Sequence, residues 1–351
     1  MQSTISPVPY AERCHRLPPP GTTAIVWPFL NVEKGNGPYE LFLDTNALVR
    51  KAWVRELPPD IRQRAVLNPW LYLLEQWLSN PEFRKDPQPR IDTMVEELTD
   101  LGFAFRDQFA VQQVAMLQRN DAALRTQFSL IFPYVAIMKS LMSQKISAEA
   151  ALAKLDEILR ADIPRLTALT MLLALSLLLK RQQAFKLDGD TKPAYSYLAS
   201  FLDFHTEKKD EVDHINVPYL RNRAGDLSLW LSLPSLRQSG YEFTGNPALV
   251  TDDKALHRVI LRVLPPLLTE SRAMGFSLDA NGLDAAICQR ILDVVKPVVV
   301  RGPVRPEERE LRMFRLFNLA RELCTQSQER AVLEDAWQEW CLPGLHQQII
   351  I

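Results

Sequence analysis

Cysteine is scarce in this chain. Four residues (Cys14, Cys288, Cys324 and Cys341) are spread over 351 positions with no CxxC pair. That excludes a disulfide framework and a cysteine-based zinc site, and reduced thiols in a cytoplasmic protein are the expectation. Metalloprotease and hydrolase signatures are lacking too: there is no HExxH, no GxSxG and no glycine-rich loop to cradle a phosphate. The most hydrophobic segment, residues 166–179 (LTALTMLLALSLLL), is shorter than the roughly 20 residues that a membrane-spanning helix needs. It reads as a buried core helix, and no membrane partner is expected. Residues 1–20 contain Glu12, Arg13 and three consecutive prolines, with no apolar stretch suited to a signal peptide. A strong charge of either sign is also absent: the formal net charge is −1. Any polyanion must therefore be met by a local patch of cations.

The remaining composition is that of an ordinary globular protein, 47% hydrophobic and 24% charged. The length allows one large or two moderate domains. Residues 1–37 form a proline-rich segment that ends in the turn signal Gly35-Asn36-Gly37-Pro38, with a strand pattern at residues 22–27. A second strand is expected at residues 39–43. A helix follows at residues 68–78, with Asn68 as its N-cap and Pro69 at its first position. Residues 81–89 (PEFRKDPQP) read as a break and a point of insertion. From residue 91 to about 204 apolar residues recur every three to four positions, the pattern of a helical bundle. The charge run at 207–213 (EKKDEVD) reads as a solvated loop or helix face. Ala224-Gly225-Asp226 opens a new amphipathic helix, and a strand at 248–250 leads into a helix at 254–264. Further helices are expected at 283–295, 307–324 and 329–340, with a short strand at 298–300. No internal repeat is visible.

The chemistry concentrates where two of these strands stop. Residues 41–48 (LFLDTNAL) end a strand at Asp44, and residues 249–256 (LVTDDKAL) end another at Asp252-Asp253. Two parallel strands terminating this way deliver Asp44 and Asp253 to one edge of a sheet, where α/β proteins bind ligands. Aspartates gathered at such an edge repel one another unless a divalent cation lies between them. Each motif has a plainer reading. Asp44-Thr45-Asn46 can be a turn that caps a helix, Asp226 can cap the helix it opens, and Asp252-Asp253 can be a solvated turn. Glu75, in LYLLEQWL, can lie on the polar face of an amphipathic helix without any function.

In their order and context, these motifs resemble those of the PIN-domain ribonucleases. In that family a strand ends in Asp followed by a small polar residue and often Asn, as at Asp44-Thr45-Asn46. An acid follows on a helix, which Glu75 fits better than Glu82, Glu96 or Glu97. Another Asp begins a later helix, as in AGDLSLWLS through Asp226, and a further strand ends in Thr-x-Asp, as at Thr251-Asp252-Asp253. The resemblance covers residues 38–80 and 215–265, about a quarter of the chain. It departs from a compact family member in the roughly 150 residues that separate Glu75 from Asp226.

The resemblance implies a PIN-like three-layer α/β core with a small parallel sheet, interrupted by a helical insertion at 81–214 and extended by a mostly helical region at 266–351. It implies Mg²⁺ or Mn²⁺ held by Asp44, Asp226, Asp252 and Asp253, with Asp44, Glu75, Asp226 and Asp253 catalytic and with Asn46 and Thr251 in support. Oxygen donors of this kind suit hard cations. The activity implied is hydrolysis of single-stranded RNA, with single-stranded or flap DNA as the alternative substrate. An inactive scaffold that binds protein through its helices is the alternative function. Arg221, Arg223, Lys254 and Arg258 are the candidate phosphate contacts, with Lys208, Lys209 and His257 nearby. The arginines from 301 to 315 are interleaved with Glu307, Glu308 and Glu310, which reads as an ion-paired helix surface. An enzyme of this type also implies an inhibitory or regulatory protein partner. Alanine at Asp44 or Asp253 is expected to abolish cleavage and to leave stability intact or improved, because a repulsion is removed.

Overall fold

The structure is a computed structural model that describes residues 7–18, 23–207, 211–269, 274–279, 283–295 and 305–347. The expected strand at 298–300, the pair Lys208-Lys209 and Arg301 lie outside the described residues. The chain is a mixed α/β protein made mostly of helix, with a five-stranded sheet. It divides into two compact units, Met1–Asp121 with Ser228–Ser277, and Ala122–Leu227 with Leu278–Gln348.

The first unit is built on the sheet. Its strands are β1 (Cys14–Arg16), β2 (Ala24–Val26), β3 (Tyr39–Leu43), β4 (Ala65–Asn68) and β5 (Asn246–Thr251), in the spatial order β1-β2-β5-β3-β4. β5, β3 and β4 are parallel, whereas β2 pairs antiparallel with both β5 and β1. The sheet is thus mixed rather than wholly parallel, because the proline-rich N-terminal segment adds two strands to its edge. All five residues of β3 are buried, which explains why the run is apolar, Glu40 apart, and does not alternate. Tyr39, Leu41 and Leu43 join Trp53, Ile61, Leu67 and Val250 in one core. On the other side, Phe42 meets Tyr241 and Phe243 edge-on.

Glu40 is the polar exception within β3. It is fully buried, yet it accepts hydrogen bonds from Asn68 Nδ2 (2.8 Å), the Tyr241 hydroxyl (2.5 Å), Arg106 Nη2 (2.9 Å) and the Thr244 N–H (2.9 Å). A buried carboxylate with four donors is held in place, whereas the same group left unpaired would be strongly destabilising.

The expected break falls where the helix Trp70–Ser79 ends, but residues 81–89 are no linker: two helices follow, Pro81–Lys85 and Pro87–Asp100, each with proline in its first turn. Proline suits that position because its missing N–H would have no partner there. Asn80 caps the first of them by accepting from Glu82 N–H and Phe83 N–H. Residues 81–121 accordingly remain with the sheet unit.

The second unit is helical. In the helix Thr167–Arg181 every residue from Ala168 to Leu179 is buried, as expected of a helix that is apolar all round. At its end, Lys180 Nζ donates to the carbonyls of Leu141, Met142 and Gln144 and so closes the C-terminus of the helix Phe132–Ser143. The run expected to be solvated contains Glu211, which is buried and accepts from Arg223 Nη2, Asn222 Nδ2 and the His205 N–H.

Candidate active site

The candidate site is the edge where β3 and β5 end. They pair in register from Tyr39 with Asn246 to Leu43 with Val250, so their C-terminal ends are level. The chain leaves β3 for β4 on one side and returns as β5 on the other. Such a reversal of strand order opens a crevice in α/β sheets.

Asp44 follows β3 directly and caps the helix Thr45–Arg50, with Oδ1 accepting the Ala47 N–H at 2.5 Å. Its backbone N–H donates to the Val250 carbonyl and its Oδ2 accepts the Asp252 N–H, both at 3.0 Å. The side chain is therefore stitched across the two strands. Asp44 is only 4% exposed, and burial pushes its carboxyl up to about 6. The Thr251 hydroxyl and the Ala47 and Asp252 N–H groups oppose that rise, and the charge of Asp252 adds to it.

Thr251 ends β5, fully buried. Its hydroxyl bonds to Asp44 and accepts the Asp253 N–H at 3.0 Å. Asp253 Oδ1 accepts the Leu256 N–H at 2.5 Å and so caps the turn that enters the π-helix Leu256–Ile260. Asp252 is held by two side chains, accepting from the Thr23 hydroxyl at Oδ1 and from Arg50 Nη1 at Oδ2, the latter at 2.9 Å. Glu75 belongs to the helix Trp70–Ser79, and its Oε2 accepts from the Thr45 hydroxyl at 2.5 Å. Asn68 ends β4 rather than occupying the helical N-cap, and its Oδ1 accepts the Trp70 N–H at 3.1 Å.

This edge brings Asp44, Glu75 (through Thr45), Thr251, Asp252 and Asp253 together from three separate stretches of chain. Asp226 belongs to the other unit. It does not open a helix but lies well inside the helix Val217–Gln238, which runs unbroken through Gly225 and Pro234. Capping, the plainer reading of Asp226, does not apply there, because the helix begins nine residues earlier. Among the described residues, no three acidic, histidine or cysteine side chains are gathered closely enough to hold a metal ion.

The expected phosphate contacts separate into different environments. Arg223 is buried and pairs with Glu211, with its guanidinium stacked on the Tyr219 ring. A polyanion could reach Arg223 only by breaking that pair. Lys254 and Asn46 are exposed, while Arg221 and Arg258 are half-buried. His257 is buried in the π-helix, and its carbonyl accepts from the Tyr10 hydroxyl.

Sequence reasoning missed Thr23 and Arg50, the two side chains that hold Asp252. Neither stands in a recognisable motif, and each reaches its partner from more than 200 positions away. No protein-family model matches the chain, and no curated protein or solved structure is significantly similar to it.

Proposed function

We propose that this chain is a Mg²⁺- or Mn²⁺-dependent endoribonuclease of PIN-like design that hydrolyses phosphodiester bonds in single-stranded RNA. One observation carries the reading. A parallel strand pair ends level and sets a desolvated aspartate, with its carboxyl raised to about 6, against a Thr-Asp-Asp turn. The donor set fits a hard cation, since it consists of carboxylate oxygens and a hydroxyl with no sulfur or imidazole. Asp44, Glu75 and Asp253 would hold the ion only by drawing closer together than they stand here, since no three such groups are gathered tightly enough among the described residues. When bound, such a cation activates water and neutralises charge on the leaving oxygen.

The other groups prepare the edge. Thr251 orients Asp44 and Asp253 together through its single hydroxyl, and Thr45 steers Glu75. Asp252 is already paired with Arg50 and is better suited to position than to coordinate. Lys254 and Arg258 follow the Asp253 turn and would meet phosphate.

The test is cleavage of end-labelled single-stranded RNA, with the matching DNA as comparison, in Mn²⁺ and in EDTA. Wild type should cleave RNA only with metal, and Asp44→Asn and Asp253→Asn should each lose at least about a hundredfold of that rate. Wild-type rates in both variants would end the nuclease reading. The second reading, a scaffold without catalysis, is favoured by one feature: both oxygens of Asp44 and both oxygens of Asp252 already accept protein donors. A thermal shift with Mn²⁺ separates the two, because an ion that binds only the folded state raises the melting temperature by mass action.

A further inference from the structure

We propose that Arg50 is the residue through which this edge grips the RNA phosphate, and that its pair with Asp252 is a resting position from which the guanidinium transfers to substrate. The proposal rests on the nuclease reading for its ligand, single-stranded RNA. The pair is asymmetric. The Asp252 side chain is 6% exposed and fixed by Thr23 and by its own backbone bond to Asp44, whereas the Arg50 side chain is 63% exposed. Asp252 is the one partner of Arg50 among the described residues, and it uses Nη1 alone. The rest of the planar donor fork therefore faces solvent beside the acidic edge. A guanidinium is built for paired hydrogen bonds to phosphate oxygens.

Its placement follows from the site itself. Arg50 is the last residue of the helix Thr45–Arg50, whose cap is Asp44. The carboxylate nearest the proposed chemistry thus also aims the helix that carries the cation. The guanidinium end of the pair is solvated, and Asp252 keeps its bond from Thr23 when the guanidinium leaves, so exchanging Asp252 for a phosphodiester does not strip the carboxylate of every donor.

The experiment is fluorescence anisotropy of a short labelled oligouridine in EDTA, across a salt series, with cleavage in Mn²⁺ measured on the same proteins. Arg50→Ala should weaken binding about tenfold, as loss of one charge-assisted contact does. It should also reduce the slope of log Kd against log salt by about 0.7, the release expected for one phosphate of a single strand. Arg50→Lys should keep the slope and recover only part of the affinity. Asp252→Asn should tighten binding, because it frees the guanidinium and removes a negative charge.

A purely structural pair would behave differently, with both partners' variants losing affinity together and the slope unchanged. That result, or an Arg50→Ala variant that binds like wild type, overturns the proposal. If the wild type cleaves RNA while Arg50→Ala binds normally, Arg50 is wrong and the nuclease stands. Binding that depends on Arg50 without any cleavage in Mn²⁺ supports the phosphate grip and removes the nuclease. A wild type that does not bind RNA overturns the grip outright.

Discussion

Asp44 carries two opposing energetic effects on one side chain. Its hydrogen bonds cap a helix and tie β3 to β5, and a cap of this kind stabilises by about 0.5–2 kcal/mol. Burial works the other way by raising the carboxyl to about 6. Because the folded value lies above the unfolded one near 3.9, the native state binds the extra proton between them. This group's contribution to stability is therefore fully present below about pH 4 and is lost as pH rises through about 6, a change on the order of 3 kcal/mol. Urea unfolding of wild type and Asp44→Asn from pH 4 to 7 should show the wild type's advantage over the variant shrinking by that order across the window. A difference that stays flat with pH would mean that the carboxyl titrates normally. The expectation that alanine here leaves stability intact or improved needs amending, since alanine removes the cap and the burial penalty together. Asp44 was legible in the sequence because an apolar run stops abruptly at it. Glu40 was hidden inside the same run, since only Arg106, Tyr241 and Asn68 make its burial tolerable. Arg50 was hidden because its meaning depends on Asp252, 202 positions away.

The elements that form the edge depend on how closely β3 and β5 approach at their starts. Asn246 N–H donates to the Pro38 carbonyl at 2.8 Å, and a Cβ on the preceding Gly245 would fall 2.3 Å from that same oxygen. Backbone on both sides cannot yield without parting the strands. Gly245→Ala should therefore cost about 3 kcal/mol of stability and, by shifting β5 against β3, lower RNA cleavage as well. Denaturant titration checks the first, and an unchanged midpoint would mean that the strand starts are looser than they look. The strands β3 and β5 were legible from their apolar runs and polar stops. β4 was not, because AVLN is only four residues long and leads at once into Pro69 and a helix. Proline at residues 81–89 marked the end of the helix Trp70–Ser79 correctly but concealed that it also begins two further helices. Gly225 suggested a boundary that the helix Val217–Gln238 runs through, as it also runs through Pro234. Buried Leu227, Leu229, Trp230 and Leu233 hold it together, and packing of that kind outweighs the local preference of two residues.

At the scale of the whole molecule, the sequence-based domain limits differ from the two compact units because the helices at 81–121 pack with the sheet and Asp226 falls in the helical unit. Contact over long separations decides this, and hydropathy along the chain does not report it. Charge, by contrast, was fully readable. With 41 basic and 42 acidic residues, the chain has no long-range field to draw RNA in, and several of its described arginines are held by carboxylates of the chain itself. Arg223 is buried against Glu211, and the arginines at 312 and 315 pair with Asp162. If RNA binds as proposed, the contact must therefore be short and local, using Arg50, Lys254 and Arg258. About three phosphates neutralised on a single strand give a slope near −2 in log affinity against log salt, so raising salt from about 50 to 200 mM should weaken binding roughly twentyfold. A loss of a thousandfold would need about seven phosphates and hence an extended basic track, contrary to a grip confined to the end of β3 and β5. Anisotropy with oligouridines of increasing length offers an independent check, since affinity for a short grip should stop rising after the first few nucleotides.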